Sequence, residues 1–305
     1  MATTESPTRT AETRTVSVWN GRISLRVQVK GAGSPIVYLH PGSGMDWDPF
    51  LDGLAADHTI YAPELPGTSD GDPDAIHQID DVFDLVLVYE EAVRALGLEG
   101  AVVIGQSFGG MLAAELAACF PALFSRVVLL DPAGLWFPGF HYSLDVLMAG
   151  PPEGFPGALF HNPMGPAAWA MFAPPADPEA AVDSAVQKVW NFGCCAKFMW
   201  PIPDRGLEKR LHRVSAPTLV LWGENDRLIP VAYAQEFGRR IAGSQVVVVP
   251  QCGHIPQVEQ RKITTTAIRT FLADPPPPPR RPNRATKIAP RQRPASRKPR
   301  KTEKT

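Results

Sequence analysis

Short apolar runs alternate with amphipathic segments along most of this chain. The first two runs, in TVSVWNGRISLRVQV, flank Asn20 and Gly21, a pair typical of hairpin turns, and predict two antiparallel strands. Four more runs, PIVYLH, TIYAPEL, AVVI and RVVLL, predict four further strands, and the β-branched composition of AVVI suits a strand covered on both faces. The runs in APTLVLWG and SQVVVVP predict the last two strands.

The segments between these runs have the spacing of helices. From Asp80 to Leu98 the apolar residues fall at 82, 85, 86, 89, 92, 93 and 96, which is the stripe of an amphipathic helix. MLAAELAAC, which follows the AVVI run, consists almost entirely of good helix formers, and helices are also predicted near 231–241 and 259–272. Strands that alternate with helices predict an α/β fold. We expect a mostly parallel central sheet flanked by helices, with the first hairpin antiparallel at one edge.

Residues 135–205 break this alternation. They contain no convincing strand, are rich in Pro, Trp, Phe and Met, and are too long for an ordinary loop. The sequence Asp-Pro-Glu at 177–179 is typical of a helix start. An apolar stripe follows it, formed by Val182, Val186, Val189 and Trp190. The segment is therefore predicted to be a helical cap inserted into the core.

The two ends of the chain differ from the rest in composition. The first 14 residues lack the apolar segment of a secretory signal. Residues 280–305 hold 11 of the 30 Lys and Arg residues and only one of the 31 Asp and Glu residues. They also contain many prolines. We predict a disordered end at 1–14, a core in two parts at 15–134 and 206–273, the cap at 135–205, and a disordered basic tail at 274–305. We expect at most weak contact between this tail and polyanions.

Composition narrows the class of protein. The chain of 305 residues can bury one large core, its hydrophobic content of 44% is ordinary for a globular protein, and no apolar run reaches the roughly 18 residues of a membrane span. The four cysteines, Cys119, Cys194, Cys195 and Cys252, show no metal-ligand spacing, which favours free thiols in a reducing compartment. We therefore predict a cytoplasmic protein without membrane contact. The acidic balance outside the tail argues against nucleic-acid binding there.

The stretch GQSFG at 105–109 joins a predicted buried strand to a predicted helix. A turn this abrupt crowds the backbone, and glycines two residues before and after the serine relieve clashes that side chains would cause. An ordinary turn that contains a serine is the alternative. G-x-S-x-G between a strand and a helix is typical of a nucleophile elbow, which would hold the Ser107 hydroxyl above the sheet edge.

Two later strand ends supply candidate partners for Ser107. Asp226 follows the strand in VLWGENDRLIP, and His254 follows the strand in VVVVPQCGHIP. A serine needs a base to remove its proton, and the base needs an orienting carboxylate. The order Ser, Asp, His, each after a strand, predicts Ser107 as nucleophile, Asp226 as acid and His254 as base. Asp131, which also follows a predicted strand, is an alternative acid.

HPGSG follows the third predicted strand and is a candidate oxyanion hole. Glycine lets a backbone N–H approach the developing oxyanion closely. We predict that the N–H groups of Gly42 and Phe108 bind the oxyanion, with Ser43 as the second choice after Gly42.

These motifs resemble the α/β-hydrolase superfamily, and within it the lid-bearing serine hydrolases, which include esterases and carbon–carbon bond hydrolases. The resemblance spans residues 15–273 and rests on HPGSG, PELPGTSDGD, GQSFGG, GENDRLIP and GHIPQVE. The chain departs from the family pattern at Glu64, where Asp is usual, and at Ser69, where Gly is usual. Ser107 argues against opening of epoxides or displacement of halides, because relatives with those activities use aspartate at this position.

The resemblance implies acyl transfer to water through an acyl-enzyme on Ser107, without a cofactor or metal. The aromatic and Met-rich cap favours a small-molecule ester with apolar substituents as substrate. The candidate pocket residues are Ser43, Trp190, Trp200 and Ile255.

Three alternatives to an esterase stay open at this stage. A carbon–carbon bond hydrolase of ring-cleavage products would need a cation in its pocket, for which Lys188, Lys197 and Arg205 are candidates. Such relatives usually have Met after the nucleophile and Trp after the base, where this chain has Phe108 and Ile255. The other two are a perhydrolase or haloperoxidase-like enzyme and a ligand receptor that turns over slowly.

Overall fold

A computed structural model describes residues 10–69, 72–137, 139, 143, 154–199 and 205–274. Its centre is a sheet of eight strands. The strands are β1 (Glu12–Val18), β2 (Ile23–Gly31), β3 (Ser34–Leu39), β4 (His58–Pro63), β5 (Val102–Gln106), β6 (Arg126–Leu130), β7 (Thr218–Gly223) and β8 (Gln245–Val249). Their order across the sheet is β1-β2-β4-β3-β5-β6-β7-β8.

The strand directions confirm the predicted sheet. β2 pairs antiparallel with both β1 and β4, and all the other neighbours pair in parallel. The predicted hairpin joins β1 to β2, with Asn20 and Gly21 at φ 53° and 77° in its turn. All residues of β6 and β7 are buried, as expected for central strands covered on both faces.

Nine helices accompany the sheet in the described part of the chain. They are α1 (Pro49–Ala55), α2 (Val82–Ala95), α3 (Phe108–Cys119), α4 (Phe155–Leu159), α5 (Pro166–Phe172), α6 (Pro178–Met199), α7 (Ala232–Arg240), α8 (Pro256–Glu259) and α9 (Arg261–Ala273). The helix predicted over 259–272 is divided, because Gln260 has the non-helical angles φ −123° and ψ 46° between α8 and α9.

The two faces of the sheet carry two separate cores. Because successive side chains of a strand point to opposite faces, Ile36 and Tyr38 of β3 pack with residues of α1 and α9. Val37 and Leu39 pack instead with residues of α2 and α3. The molecule therefore has helices on both faces of the sheet, which is the layer arrangement that the alternation of strands and helices predicted.

Three of the described helices, α4, α5 and α6, lie between β6 and β7 in the chain, and we call them the intervening helices. The predicted helix start is present, since the carboxylate of Asp177 accepts a hydrogen bond from the N–H of Ala180 at 2.9 Å. The division into a cap at 135–205 stays a prediction, because residues 138, 140–142, 144–153 and 200–204 lie outside the described residues.

Two predicted boundaries need correction. β1 begins at Glu12, inside the range 1–14 that is predicted to be disordered. The strand extends this far because Glu12 pairs with Val29 of β2. At the other end, Asp274 was assigned to the tail, yet its carbonyl accepts a hydrogen bond from the guanidinium of Arg126. Residues 1–9 and 275–305 lie outside the described residues. Among the described helices, none has both the length and the apolar composition to cross a bilayer.

The two departures from the family pattern in PELPGTSDGD contact each other. The hydroxyl of Ser69 donates a hydrogen bond of 2.5 Å to Glu64 Oε2, and Gln28 Nε2 donates to Glu64 Oε1 at 3.0 Å. The longer side chain of Glu64 thus has a hydroxyl partner that a glycine at 69 would not supply. This supports the interpretation of both residues as parts of a structural turn.

Candidate active site

Ser107 occupies the sharp turn between β5 and α3. Its φ of 52° and ψ of −113° lie in a region that residues other than glycine rarely adopt. A Cβ atom on Gly105 would collide with the carbonyl of Gly109, and a Cβ atom on Gly109 would collide with the carbonyl of Leu39. These collisions agree with the predicted reason for the two glycines, because the turn leaves no room for side chains beside the serine.

Hydrogen bonds to neighbouring elements hold this strained turn in place. The N–H of Ser107 donates to the carbonyl of Leu130 at the end of β6 at 2.9 Å. Its carbonyl accepts from the N–H groups of Met111 and Ala133, both at 3.0 Å. The backbone of the serine is thus fixed from both sides, which keeps the unfavourable conformation populated.

The structure brings Ser107, His254 and Asp226 into one hydrogen-bonded chain. His254 Nε2 lies 2.9 Å from Ser107 Oγ, and His254 Nδ1 lies 2.7 Å from Asp226 Oδ2. Asp226 Oδ1 accepts from the N–H groups of Leu228 and Ile229 at 2.8 and 2.9 Å. With Nδ1–H donated to a carboxylate, the other ring nitrogen is left as an acceptor for the serine hydroxyl; this tautomer follows from the hydrogen-bond network.

The loops after β7 and β8, which carry Asp226 and His254, pack backbone against backbone. A Cβ atom on Gly223 would collide with the carbonyl of Gly253. The N–H of Asn225 donates to the carbonyl of Cys252 at 2.8 Å. Such close contact fixes the separation of the two loops, and hence of the carboxylate and the imidazole.

Glu259 is a site residue that sequence reasoning missed. Its carboxylate accepts hydrogen bonds from the N–H of Gly253 at 2.7 Å, from that of His161 at 3.0 Å and from that of Asn162 at 2.8 Å. One side chain therefore ties the loop of His254 to the chain that follows α4. The residue is visible at the end of GHIPQVE, but its partners are backbone groups that leave no sequence signal, and two of them, at His161 and Asn162, lie about a hundred positions earlier.

Two further contacts hold the loop of His254. The amide of Gln106, the residue before the serine, donates to the carbonyl of His254 at 2.8 Å. The N–H of His254 donates to the carbonyl of Leu159 at the end of α4 at 2.7 Å. His254 is thus positioned both by the central strand β5 and by the intervening helices.

The predicted oxyanion donors lie beside the serine. Gly42 and Phe108 line the same cavity as Ser107. Phe108 is the first residue of α3, so its N–H is among those that a helix leaves without an intrahelical acceptor. A Cβ atom on Gly42 would approach no protein atom closer than 3.6 Å, so neighbouring protein atoms do not require glycine at this position.

In HPGSG, Gly44 is the position at which neighbouring atoms and the backbone conformation require glycine. Its φ is 100°, and a Cβ atom there would collide with the side-chain amide of Asn191 in α6. That amide donates to the carbonyl of Ser43 at 2.8 Å, and the N–H of Gly44 donates to the carbonyl of Pro41 at 3.1 Å. The intervening helices therefore hold the candidate oxyanion loop, HPGSG at 40–44, as well as the loop of His254.

His40 shapes the start of this loop through two hydrogen bonds. Its Nδ1 lies 2.7 Å from the carbonyl of Pro41, and its Nε2 accepts from the N–H of Leu65 at 2.9 Å. Burial lowers the pKa of His40 below its ordinary value. A neutral ring with Nδ1–H as donor satisfies both contacts.

A cavity of about 150 Å³ opens over Ser107. Besides Ser107 and His254, the predicted site residues that line it are Gly42, Ser43, Phe108 and Ile255. Much of the remaining wall is apolar and belongs to the intervening helices, including Phe155, Leu159, Met171, Phe172, Phe192 and Met199. A cavity of this volume holds a group of about the size of benzene.

Trp190 does not line the cavity, contrary to its prediction as a pocket residue. Its indole Nε1 donates to the carbonyl of Gly67 at 2.6 Å. Phe192 of the same helix lines the cavity, and two positions correspond to about 200° of rotation around a helix, so Trp190 faces away. Trp200, also predicted for the pocket, lies outside the described residues.

Lys188 is the lysine of the described cavity wall. Its ammonium lies 5.6 Å from the centre of the Phe172 ring and 3.5 Å from the carbonyl of Met171. The other two candidate cations are used elsewhere. Lys197 Nζ donates to the carbonyl of Ile76 at 3.0 Å, and Arg205 Nε donates to the carbonyl of Phe198 at 3.3 Å.

A cluster that could ligate a metal overlaps the hydrogen-bonded triad of Ser107, His254 and Asp226 and shares its last two residues. One ligand atom each from Asp131, Asp226 and His254 lies within 4.8 Å of the others. The 2.7 Å between His254 Nδ1 and Asp226 Oδ2 is a hydrogen-bond distance, so these two atoms already satisfy each other. The expectation that the reaction uses no metal or cofactor stays a prediction.

Comparison with known proteins agrees with this geometry. The chain is 25% identical to 2-hydroxy-6-oxo-6-phenylhexa-2,4-dienoate hydrolase of Burkholderia cepacia, over 80% of this chain and 89% of that one. It is 26% identical to lipase 3 of Moraxella sp., over 78% and 77%. A crystal structure of an esterase from Rhodococcus sp. superposes with a TM-score of 0.69 at 22% identity, over 87% of this chain and 99% of that one. The model of the alpha/beta hydrolase family matches residues 36–267, and the chain therefore belongs to that family.

Proposed function

We propose that this chain is a serine hydrolase that cleaves a small ester with apolar substituents through an acyl-enzyme on Ser107. The observation that carries the proposal is the hydrogen-bonded chain from Ser107 through His254 to Asp226 on the wall of an apolar cavity. The serine oxygen, its base and the base's carboxylate have the mutual distances that nucleophilic catalysis requires.

In the first step, Ser107 Oγ attacks the ester carbonyl carbon while His254 Nε2 takes the hydroxyl proton. The carboxylate of Asp226 stabilises the imidazolium that forms. The negative charge that develops on the carbonyl oxygen is met by the N–H groups of Gly42 and Phe108. When the tetrahedral intermediate collapses, the alcohol leaves with the proton from His254, and the acyl group stays on Ser107.

In the second step, water attacks the acyl-enzyme. His254 takes a proton from the water, the same two N–H groups receive the second oxyanion, and the proton returns to Ser107 Oγ as the bond to the acyl carbon breaks. The products are a carboxylic acid and a free serine. No other group has to change its charge.

The cavity wall supports an apolar substrate. Its aromatic and methionine side chains offer dispersion contacts and few polar partners, so a polar acyl group would lose hydrogen bonds to water on entry. The volume suits an acyl or alcohol group of roughly the size of a benzene ring. The lipase and the esterase among the similar proteins agree with this substrate class.

The proposal is tested with a fluorophosphonate probe and a panel of acyl esters on purified protein. We expect stoichiometric labelling of Ser107, many turnovers per second on at least one ester, and loss of both in Ser107→Ala. A burst of one equivalent without further turnover would favour a slow receptor, and absence of labelling would refute the nucleophile.

One observation favours a second candidate, a carbon–carbon bond hydrolase of ring-cleavage products. Such substrates carry a carboxylate, and Lys188 places an ammonium at the cavity wall. The hydrolase from Burkholderia cepacia is named for such a substrate. If this activity is the main one, Lys188→Met should raise KM for 2-hydroxy-6-oxo-6-phenylhexa-2,4-dienoate at least tenfold, since a charged hydrogen bond contributes about 1.5–3 kcal/mol. Lys197→Met is the control, because the ammonium of Lys197 donates to the carbonyl of Ile76 instead.

A further inference from the structure

Asp131 lies beside the triad, and the proposed mechanism gives it no role. It follows β6, has a φ of 43° and is fully buried. Its Oδ1 accepts from the N–H of Gly223 at 2.9 Å. Its Oδ2 is buried without a hydrogen-bond partner among the described residues. A buried oxygen without a partner is costly, so its surroundings need an explanation.

The surroundings of Asp131 contain a second carboxylate. A carboxyl oxygen of Asp131 lies within 4.8 Å of both an Asp226 oxygen and a His254 nitrogen. Two ionised carboxylates at this separation repel each other strongly away from water, and such pairs instead hold one proton between them.

The hydrogen bonds decide which carboxylate holds the proton. Asp226 accepts three N–H donors, from His254 Nδ1 and from the backbone of Leu228 and Ile229, and each of them favours the ionised form. Asp131 accepts one N–H donor, from Gly223, on Oδ1. Its Oδ2 is the atom left to carry the proton.

Burial and charge act on Asp131 in the same direction. Burial raises the pKa of Asp131 well above its ordinary value, and the charge of Asp226 raises it further. Among the described residues, the titratable groups that face it are Asp226, His254 and the thiol of Cys252. Burial also raises the pKa of Cys252, so that the thiol is neutral at physiological pH.

We propose that Asp131 is a neutral carboxylic acid whose O–H donates to the carboxylate of Asp226 and thereby holds that carboxylate toward His254. Asp131 would then bridge two strand ends, since it accepts from Gly223 at the end of β7 and donates to the acid in the loop that follows. It is a positioning residue and not a second catalytic acid. Its effect on turnover rests on the proposed function; its protonation does not.

The first test replaces Asp131 by Asn and by Leu. The Asn side chain can accept from the N–H of Gly223 and donate to Asp226, as the neutral acid does, so we expect kcat within about threefold of the wild type. Leu can do neither, and the loss of a hydrogen bond to a charged group should lower kcat about tenfold to a hundredfold with KM unchanged. If Asp131→Asn loses as much activity as Asp226→Asn, Asp131 is a catalytic acid and the proposal is wrong.

The second test measures protonation without any turnover. A carboxyl that is neutral in the native state and ionised in the unfolded state binds a proton on folding, so its contribution to stability falls as the pH rises above about 4. Urea unfolding from about pH 5 to about pH 7 should show the folding constant of the wild type, relative to that of Asp131→Asn, falling about tenfold per pH unit.

Asp183→Asn, on an exposed turn of α6, controls for the loss of an acidic side chain. The ratio of the wild-type folding constant to that of Asp183→Asn should not change with pH. A pH-independent ratio for Asp131→Asn as well would show that Asp131 is ionised in the native state and would overturn the proposal. This outcome is decisive even if the Leu variant fails to fold or no substrate is found.

Discussion

The edge of the sheet that carries the triad and the helix α6 that faces it are built in different ways. At the sheet edge, Asp226 and His254 are buried, and the turn at Ser107 is fixed by hydrogen bonds to β6 and α3. In α6, Val186 and Val189 are 63% and 71% exposed on one side of the helix, while Phe192 lines the cavity on another. The candidate catalytic residues thus lie where the backbone is fixed from several sides, whereas the helix that forms part of the cavity wall exposes one side to solvent.

The two regions are nevertheless joined at defined points. Asn191 of α6 donates to the carbonyl of Ser43 in the oxyanion loop. The chain at and after α4 meets the loop of the base through the carbonyl of Leu159 and through Glu259. Substitutions at these joints should therefore affect the chemistry. Substitutions elsewhere on the intervening helices should affect the choice of substrate or nothing at all.

The largest fall in kcat is expected from a substitution at the sheet edge. Asp226→Asn should lower kcat by about 10⁴-fold, because the amide cannot hold His254 in the tautomer that accepts the serine proton. Thermal unfolding should show that the fold survives. A loss smaller than tenfold in kcat would move the acid elsewhere, with Asp131 as the first candidate.

The next effect is expected at the joint formed by Glu259. Glu259→Ala leaves three N–H groups without their carboxylate, so we expect a loss of about 2–4 kcal/mol in the free energy of unfolding and a clear fall in kcat. Glu224→Ala, in the loop after β7, is the matched control, because its carboxylate accepts a single N–H from the loop of His254, that of Gln251, at 3.4 Å.

Equal effects in Glu259→Ala and Glu224→Ala would show that the joint to the intervening helices is unimportant. A fall in stability without a fall in kcat would limit the role of Glu259 to folding.

A smaller and more selective effect is expected on the cavity wall. Phe192→Ala enlarges the cavity and should shift the preferred ester toward longer or bulkier acyl groups, while the rate at which a small fluorophosphonate labels Ser107 changes little. Trp190→Ala, on the same helix but turned away from the cavity, is the control and should leave the substrate ranking unchanged. Specificity constants for an ester series measure both variants. A ranking that responds to Trp190 and not to Phe192 would contradict the cavity described above.

The sequence predicts the sheet edge better than the wall for a physical reason. Short apolar runs mark strand ends, and the carboxyl ends of neighbouring parallel strands meet at one edge, so Ser107, Asp226 and His254 could be expected together. Which face of α6 points inward depends on how the intervening helices pack. The apolar stripe at 182, 186, 189 and 190 did not predict this face, because its residues are exposed. The contacts that Gln106, Glu259 and Asn191 make with His254, His161 and Ser43 could not be predicted either, because these partners are backbone atoms far away in the chain.

The smallest effect is expected on the exposed side of α6. Val186→Thr and Val189→Thr keep the side-chain shape and change groups that solvent already reaches, so the free energy of unfolding should stay within about 0.5 kcal/mol of the wild type. The kcat/KM for the best ester should also be unchanged. Asn191→Ala, on the same helix, is the contrast: it removes the donor to Ser43 in the oxyanion loop and should lower kcat. If the two valine variants lower kcat as much as Asn191→Ala does, the exposed side of α6 contributes to the chemistry, and the division between a fixed catalytic edge and a selective wall does not hold.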